Sequence, residues 1–261
     1  MSRTRRRPPE AVIDTHCHLD ACEPPVAELV GRARAAGVGR LATVGMNGQS
    51  IEHALTAAED HDEVVAIVGR HPHETVGFDE LALEQIERAA AHPRARAIGE
   101  TGLDYYRDYA PRDDQRRAFE AQLALAARAE LPVVIHTRAA EDDTFALLRE
   151  HSESLPAVIL HCFSAPERLE ECVERGYLCS FAGNVTYPKA SDLQAAAREL
   201  PSELLLVETD SPYLAPQPVR GRPNEPANVM HTARFVAELR GVPYEELERV
   251  VDANAERVLG P

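Results

Sequence analysis

The chain has 261 residues and a formal net charge of −15, with 28 Lys and Arg against 43 Asp and Glu. That length suits one α/β barrel of about 250 residues as readily as two smaller domains. The acidity argues against a long basic face reading duplex nucleic acid, and no apolar run approaches the ~18 residues of a membrane span.

No apolar signal segment follows the basic start, and the five cysteines lack metal-knuckle spacing. They read as reduced thiols, so the expected location is cytoplasmic, with no membrane contact and no obligate protein partner evident. Lysine occurs once, at Lys189, so arginine supplies nearly all the positive charge. The opening "MSRTRRRPPE", residues 1–10, reads as a disordered basic tail, with an arm touching nucleic acid as the alternative.

"AVIDTHCH" (11–18) predicts the first strand. Alternation puts Asp14, His16 and His18 on one face and Cys17 on the other. Two neighbouring imidazoles can hold a divalent metal, although a polar strand end could carry the same letters. "RLATVG" (40–45), "VVAIVGRHP" (64–72) and "ARAIGETGLD" (95–104) predict the next three strands. "APRDDQRRAFEAQLALAARAE" (110–130) has helix-start chemistry in Pro111, Asp113 and Asp114, with Phe119, Leu123 and Ala127 on one face.

"LPVVIHT" (131–137) and "PAVILHCF" (156–163) continue the strands. "APERLEECVERG" (165–176) predicts a helix capped by Gly176. "YLCSFAG" (177–183) and "LLLVETDSP" (204–212) complete eight strands, and "PYEELERVVDANAERVLG" (243–260) is a final amphipathic helix. Strand midpoints fall 20 to 37 residues apart, the spacing of β-α units. A (β/α)₈ TIM barrel over residues 11–261, a single domain, is the expected fold, with functional residues at the C-terminal strand ends. An open doubly wound sheet is the alternative. It usually carries a glycine-rich phosphate loop after strand one, where this chain has "DTHCHLD".

Polar residues follow the apolar runs with regularity: His16 and His18, His71, Glu100, His136, His161 and Asp210. In a barrel these ends meet at one mouth. Setting His71 aside, four histidines and two carboxylates exceed what one zinc uses, so two divalent ions (Zn, Mg or Mn) are expected. Glu100 is placed to bridge them and Asp210 to hold a metal and accept a proton from the attacking water. Asp14 either supports a ligand or makes a buried structural hydrogen bond.

"DTHCHLD", "GRHPHE", "AIGETGLDYYRD", "PVVIHTRAA", "LHCFSA", "SFAGNVTYPKA" and "VETDSPYLAPQPVRGRPNEP" together resemble the TatD-type metal-dependent hydrolases and deoxyribonucleases of the amidohydrolase superfamily, in order from residue 14 to 226. The resemblance implies that His16, His18, Glu100 and Asp210 hold one metal, and Glu100, His136 and His161 the other. It implies that His71 touches substrate or orients a ligand, and that Arg138 and Arg220 contact substrate. Arg220 has a plainer alternative, a loop-ordering ion pair with Glu225, and Tyr105 and Tyr106 either stack on a base or pack under their loop. Ala165, Arg70 and Asn228 depart from the family's pattern, which bears on substrate preference and touches no ligand.

The expected activity is metal-dependent hydrolysis of phosphodiester bonds, as a 3′→5′ exodeoxyribonuclease acting on a single-stranded DNA end through Asp210 and Glu100. The rivals are hydrolysis of a carbon centre (amide, ester or aminoacyl-tRNA) and a non-catalytic nucleic-acid-binding barrel.

Overall fold

A computed structural model of the chain describes residues 11–260. The expectation of a disordered basic tail at residues 1–10 lies outside the described residues. In chain order the elements are β1 (Val12–Cys17), α1 (Val26–Ala35), β2 (Val38–Gly45), α2 (Gly48–Asp60), β3 (Val64–Val68) and α3 (Glu80–Ala90). These are followed by β4 (Ala95–Asp104), α4 (Arg112–Ala129), β5 (Val133–Arg138), α5 (Glu141–His151), β6 (Val158–Leu160) and α6 (Leu169–Arg175). The chain continues with β7 (Leu178–Phe181), α7 (Ser191–Glu199), β8 (Leu205–Val207), α8 (Val229–Arg240) and α9 (Tyr244–Leu259).

The strands form one parallel sheet in the order β1 to β8. The seam between the last and first strands is closed just beyond β8. Asp210 N–H donates to the His16 carbonyl at 2.9 Å and His18 N–H to the Ser211 carbonyl at 2.8 Å. Asp14 adds to this closure. Its carboxylate accepts from Thr209 N–H at 2.8 Å and stands 2.6 Å from the Thr209 hydroxyl. The architecture is therefore the expected TIM barrel, with side chains such as Ile13, Ile67, Ile98 and Phe181 fully buried.

Local chemistry accounts for the helix ends. Asn47 and Ser50 form a capping box at the start of α2, and Asp79 caps α3 through Ala82 N–H. Pro111 occupies the N-cap of α4, and Gly176 ends α6 at φ 69°, as the sequence suggested. The buried face of α4 holds two glutamines with the apolar residues. Gln115 accepts from Asp104 N–H, and Gln122 accepts from Arg70 N–H while donating to Thr101 Oγ1. These amides tie α4 to the ends of β3 and β4, next to the mouth.

Strict alternation fails in the two strands that matter most. Between Asp14 and Cys17, β1 carries one more residue than β2 opposite it, and β4 does the same between Ile98 and Thr101 relative to β5. An extra residue of this kind bends a strand and re-aims its side chains. Close packing beside the second irregularity demands glycine. At Gly102 (φ 142°) a Cβ would lie 1.9 Å from the His136 carbonyl oxygen. The expected sixth and eighth strands also stop short, at Leu160 and Val207, and residues with positive φ follow them at Cys162 (44°) and Asp210 (53°).

Candidate metal centre

Glu100 sits at the centre of the mouth, 2% exposed, where the irregularity in β4 directs it inward. Its two oxygens face different histidines. Oε2 lies 3.3 Å from His16 Nε2 and 3.8 Å from His18 Nε2. Oε1 lies 2.7 Å from His136 Nδ1, 3.4 Å from His161 Nε2 and 3.5 Å from His71 Nε2. Asp210 Oδ1 stands 3.4 Å from His18 Nε2. All six expected ligands therefore converge, and His71 joins them.

The surroundings fit a cation better than a set of bare side chains. His16 is fully buried, yet neither ring nitrogen makes a hydrogen bond. An unpaired buried imidazole is costly unless something absent from the protein satisfies it. Donor atoms that approach one another within 4.8 Å form the sets His16–His18–Asp210, His16–Glu100–His161 and His71–Glu100–His136. Neutral imidazole nitrogens with carboxylate oxygens suit zinc and manganese, and the carboxylates suit magnesium.

Electrostatics favours ligand-ready states at part of the site. Burial opposes the charge on Glu100, but the surrounding imidazoles, His161 and His71 foremost, hold its carboxyl well below the usual range. Burial lowers His71 to about 4 and also lowers His16, so both rings are neutral. His18 is raised, because the Asp210 hydrogen bond and charge outweigh burial. For His161, burial is outweighed by the charges of Glu208 and Glu100, which bring it to about 10.

Two carboxylates behind the site were not singled out as ligands. Glu208 Oε1 is 2.7 Å from His161 Nδ1 and accepts from Cys162 N–H. Asp104 Oδ2 lies 2.7 Å from His73 Nε2 and 3.3 Å from His136 Nε2, while its Oδ1 accepts from Tyr106 and Arg107 N–H. Asp104 closes the quoted run "ARAIGETGLD", but its link to His73 joins the end of β4 to the segment after β3 and leaves no mark in either segment. Asp14 touches no ligand side chain in this way and belongs to the seam, which favours its structural reading.

Outside the ligands the mouth widens into a cavity of about 640 Å³. His71, Arg107, Arg138 and Asn184 line it. Arg138 lies over the Tyr106 ring at 4.1 Å. Tyr106 is 63% exposed, so it does not pack under its loop, whereas Tyr105 donates to Asp143 at 2.7 Å. Arg220 is not among the lining residues. Its guanidinium rests over Tyr187 at 4.1 Å, and Glu225, its suggested ion-pair partner, accepts from Arg32 instead.

Comparison with known proteins identifies the family and the fold. A family model described as "TatD related DNase" matches residues 13–260. An uncharacterised metal-dependent hydrolase, YabD of Bacillus subtilis, is 37% identical over 250 residues, covering 95% of this chain and 98% of YabD. The 3′-5′ ssDNA/RNA exonuclease TatD of Klebsiella pneumoniae is 37% identical over 239 residues, covering 89% and 91% of the two chains. Among solved structures, the TatD homologue YJJV of Escherichia coli K12 superposes with a TM-score of 0.88 at 31% identity, covering 96% of this chain and 98% of that one.

Proposed function

Because this chain belongs to the TatD-related DNase family of metal-dependent hydrolases, we propose that it is a 3′→5′ exonuclease using two divalent cations to cleave phosphodiester bonds at a single-stranded end. The observation that carries the proposal is the division of Glu100, with one oxygen toward His16 and His18 and the other toward His136 and His161. A carboxylate so divided can bridge two ions. His16, His18, Glu100 and Asp210 would hold one, and Glu100, His136 and His161 the other, the metals being zinc, magnesium or manganese.

When bound, such ions supply positive charge for the phosphate oxygens and a water acidic enough to attack near neutral pH. The remaining work falls to side chains. Asp210 lines the cavity with its carboxyl held below the usual range, where the His18 hydrogen bond outweighs burial, so it can take up the proton of the attacking water. His71 Nδ1 accepts from His73 N–H at 3.1 Å, which leaves the proton of the neutral ring on Nε2, facing Glu100. In that role His71 orients the bridging carboxylate.

Arg138 and its neighbour Arg107 offer forked donors to phosphate from one wall of the cavity. Arg220, farther out, would meet the strand beyond the site. The described cysteines are all free, which suits a reducing cytoplasmic setting. No helix among the described residues is long and apolar enough to cross a membrane. Residues 11–261 would act as one catalytic unit.

The test is a panel of single-stranded DNA, RNA, a simple phosphodiester, and amide and ester substrates offered to protein loaded with each metal in turn. Shortening of oligonucleotides from the 3′ end, with circular single strands left intact, is the expected result. Turnover confined to amides or carboxylic esters would replace the proposal with carbon-centre hydrolysis. Elemental analysis of active, saturated protein should give two ions per chain.

A further inference from the structure

Six large hydrophobic or aromatic side chains are exposed among the described residues, and only Tyr109 and Tyr213 of these line the cavity. They are 62% and 55% exposed, so neither ring is needed for packing. Tyr109 meets His73 with ring centroids 4.8 Å apart at 69°, and Tyr213 meets His18 at 6.1 Å and 68°. Neither ring is stacked flat on its histidine. Tyr106, by contrast, already has Arg138 over its face.

Both exposed rings stand on tethered backbone. Asn224, 2% exposed, donates to the carbonyls of Tyr213 and Thr209, at 2.7 and 3.0 Å, and Tyr213 N–H donates to the Asp210 carbonyl. Fully buried Gln115 donates to the carbonyls of Ala110 and Asp104, on either side of Tyr109. Fixed backbone under an open aromatic face lowers the entropy lost when a ligand stacks on it. The two rings also approach Glu100 from different sides. Tyr213 adjoins His18, which faces Oε2. Tyr109 adjoins His73, which shares Asp104 with His136, the neighbour of Oε1.

We infer that Tyr109 and Tyr213 form two base-stacking subsites, one on each side of the scissile phosphate, so that the site selects strands whose last bases are unpaired. The inference rests on the nuclease reading and names the residues that would hold the bases of its single-stranded substrate. A nucleobase can lie on either ring only after leaving its own stack, which a single strand permits at little cost and a duplex resists. Stacking tolerates any base, so little sequence preference follows.

The test uses the metal-loaded full chain and strands whose last linkage is a non-hydrolysable methylenephosphonate, so that binding is read without turnover. Short single strands carry 2-aminopurine at the 3′-terminal or the penultimate position, and an abasic strand of equal length serves as the reference. Wild-type protein should change the emission of the probe at both positions. Tyr109→Ala and Tyr213→Ala should each abolish the change at one position and weaken base-bearing strands by about 5- to 150-fold, the range for one lost stack. The abasic strand should bind all variants alike, and Tyr109→Phe and Tyr213→Phe should behave as wild type, because stacking needs the ring and not the hydroxyl.

Equal losses on abasic and base-bearing strands, unchanged probe emission, or failure of wild type to bind any strand would overturn the inference. Base-dependent binding through both rings, in a metal-loaded protein that cleaves no unmodified strand, would leave the subsites standing and remove the nuclease reading alone.

Discussion

Glu208 Oε1 lies 2.7 Å from His161 Nδ1, and the other ring nitrogen of His161 faces Glu100 Oε1 at 3.4 Å. A carboxylate behind an imidazole fixes which nitrogen is offered to a cation and makes that nitrogen more basic. Glu208→Ala should therefore lose about 10- to 100-fold in metal affinity, with Glu208→Gln in between, and should also lose stability because Cys162 N–H loses its buried acceptor. Competition against a fluorescent chelator measures this. Affinity within about twofold of wild type in the alanine variant would show that Glu208 does not tune the site.

Metal uptake should release protons. His18 is raised by Asp210 and His161 to about 10 by Glu208 and Glu100, in both cases against the opposing effect of burial. Below about 10 the His161 ring carries a proton that a cation must displace, and the upward shift of His18 acts in the same sense. Affinity should accordingly rise with pH through neutrality and weaken as pH falls. Calorimetry at pH 7 in two buffers of different ionisation heat reads the protons directly. Identical heats in both buffers would mean that the His161 ring is already neutral.

Asp210→Asn tests the proposed proton acceptor. Asn tolerates the left-handed backbone found at this position, φ 53°, so the substitution removes charge and basicity with little strain. The variant should keep its fold and bind metal, while kcat falls by about 10²–10⁴. Metal content is checked on the sample used for kinetics. A kcat within about threefold of wild type at saturating metal would assign the proton to another group.

Asp14→Ala should damage the barrel seam. It leaves Thr209 N–H without its acceptor in a fully buried place and removes the partner of the Thr209 hydroxyl. Two buried groups left without partners should lower stability by about 2–4 kcal/mol in urea unfolding. A loss under about 0.5 kcal/mol would mean that the seam is held by the backbone bonds of His18 and Asp210 alone.

Much of this molecule is legible in the order of its residues. The apolar runs mark the eight strands, because a parallel strand covered on both faces must be apolar along its length. Six of the eight runs end in a polar residue that burial would otherwise forbid, which is why His16, His18, His71, Glu100, His136, His161 and Asp210 stand out before any contact is known. Pro111 and Gly176 mark helix ends through their own backbone restrictions and freedoms.

What periodicity could not supply is anything decided between strands. The extra residues that re-aim β1 and β4 exist only relative to the register of β2 and β5. Asp14 lies in a run read as sharing its face with His16, yet closure of the barrel turns it to Thr209, 195 residues away. Glu208 and Asp104 acquire their histidines, and Gln115 and Gln122 their strand ends, through packing between nearby strands and helices. Exposure of Tyr109 and Tyr213 likewise depends on where their loops come to rest. A strand's own pattern records which residues need burial. Which distant group meets each of them is decided only when the strands and helices pack into the barrel.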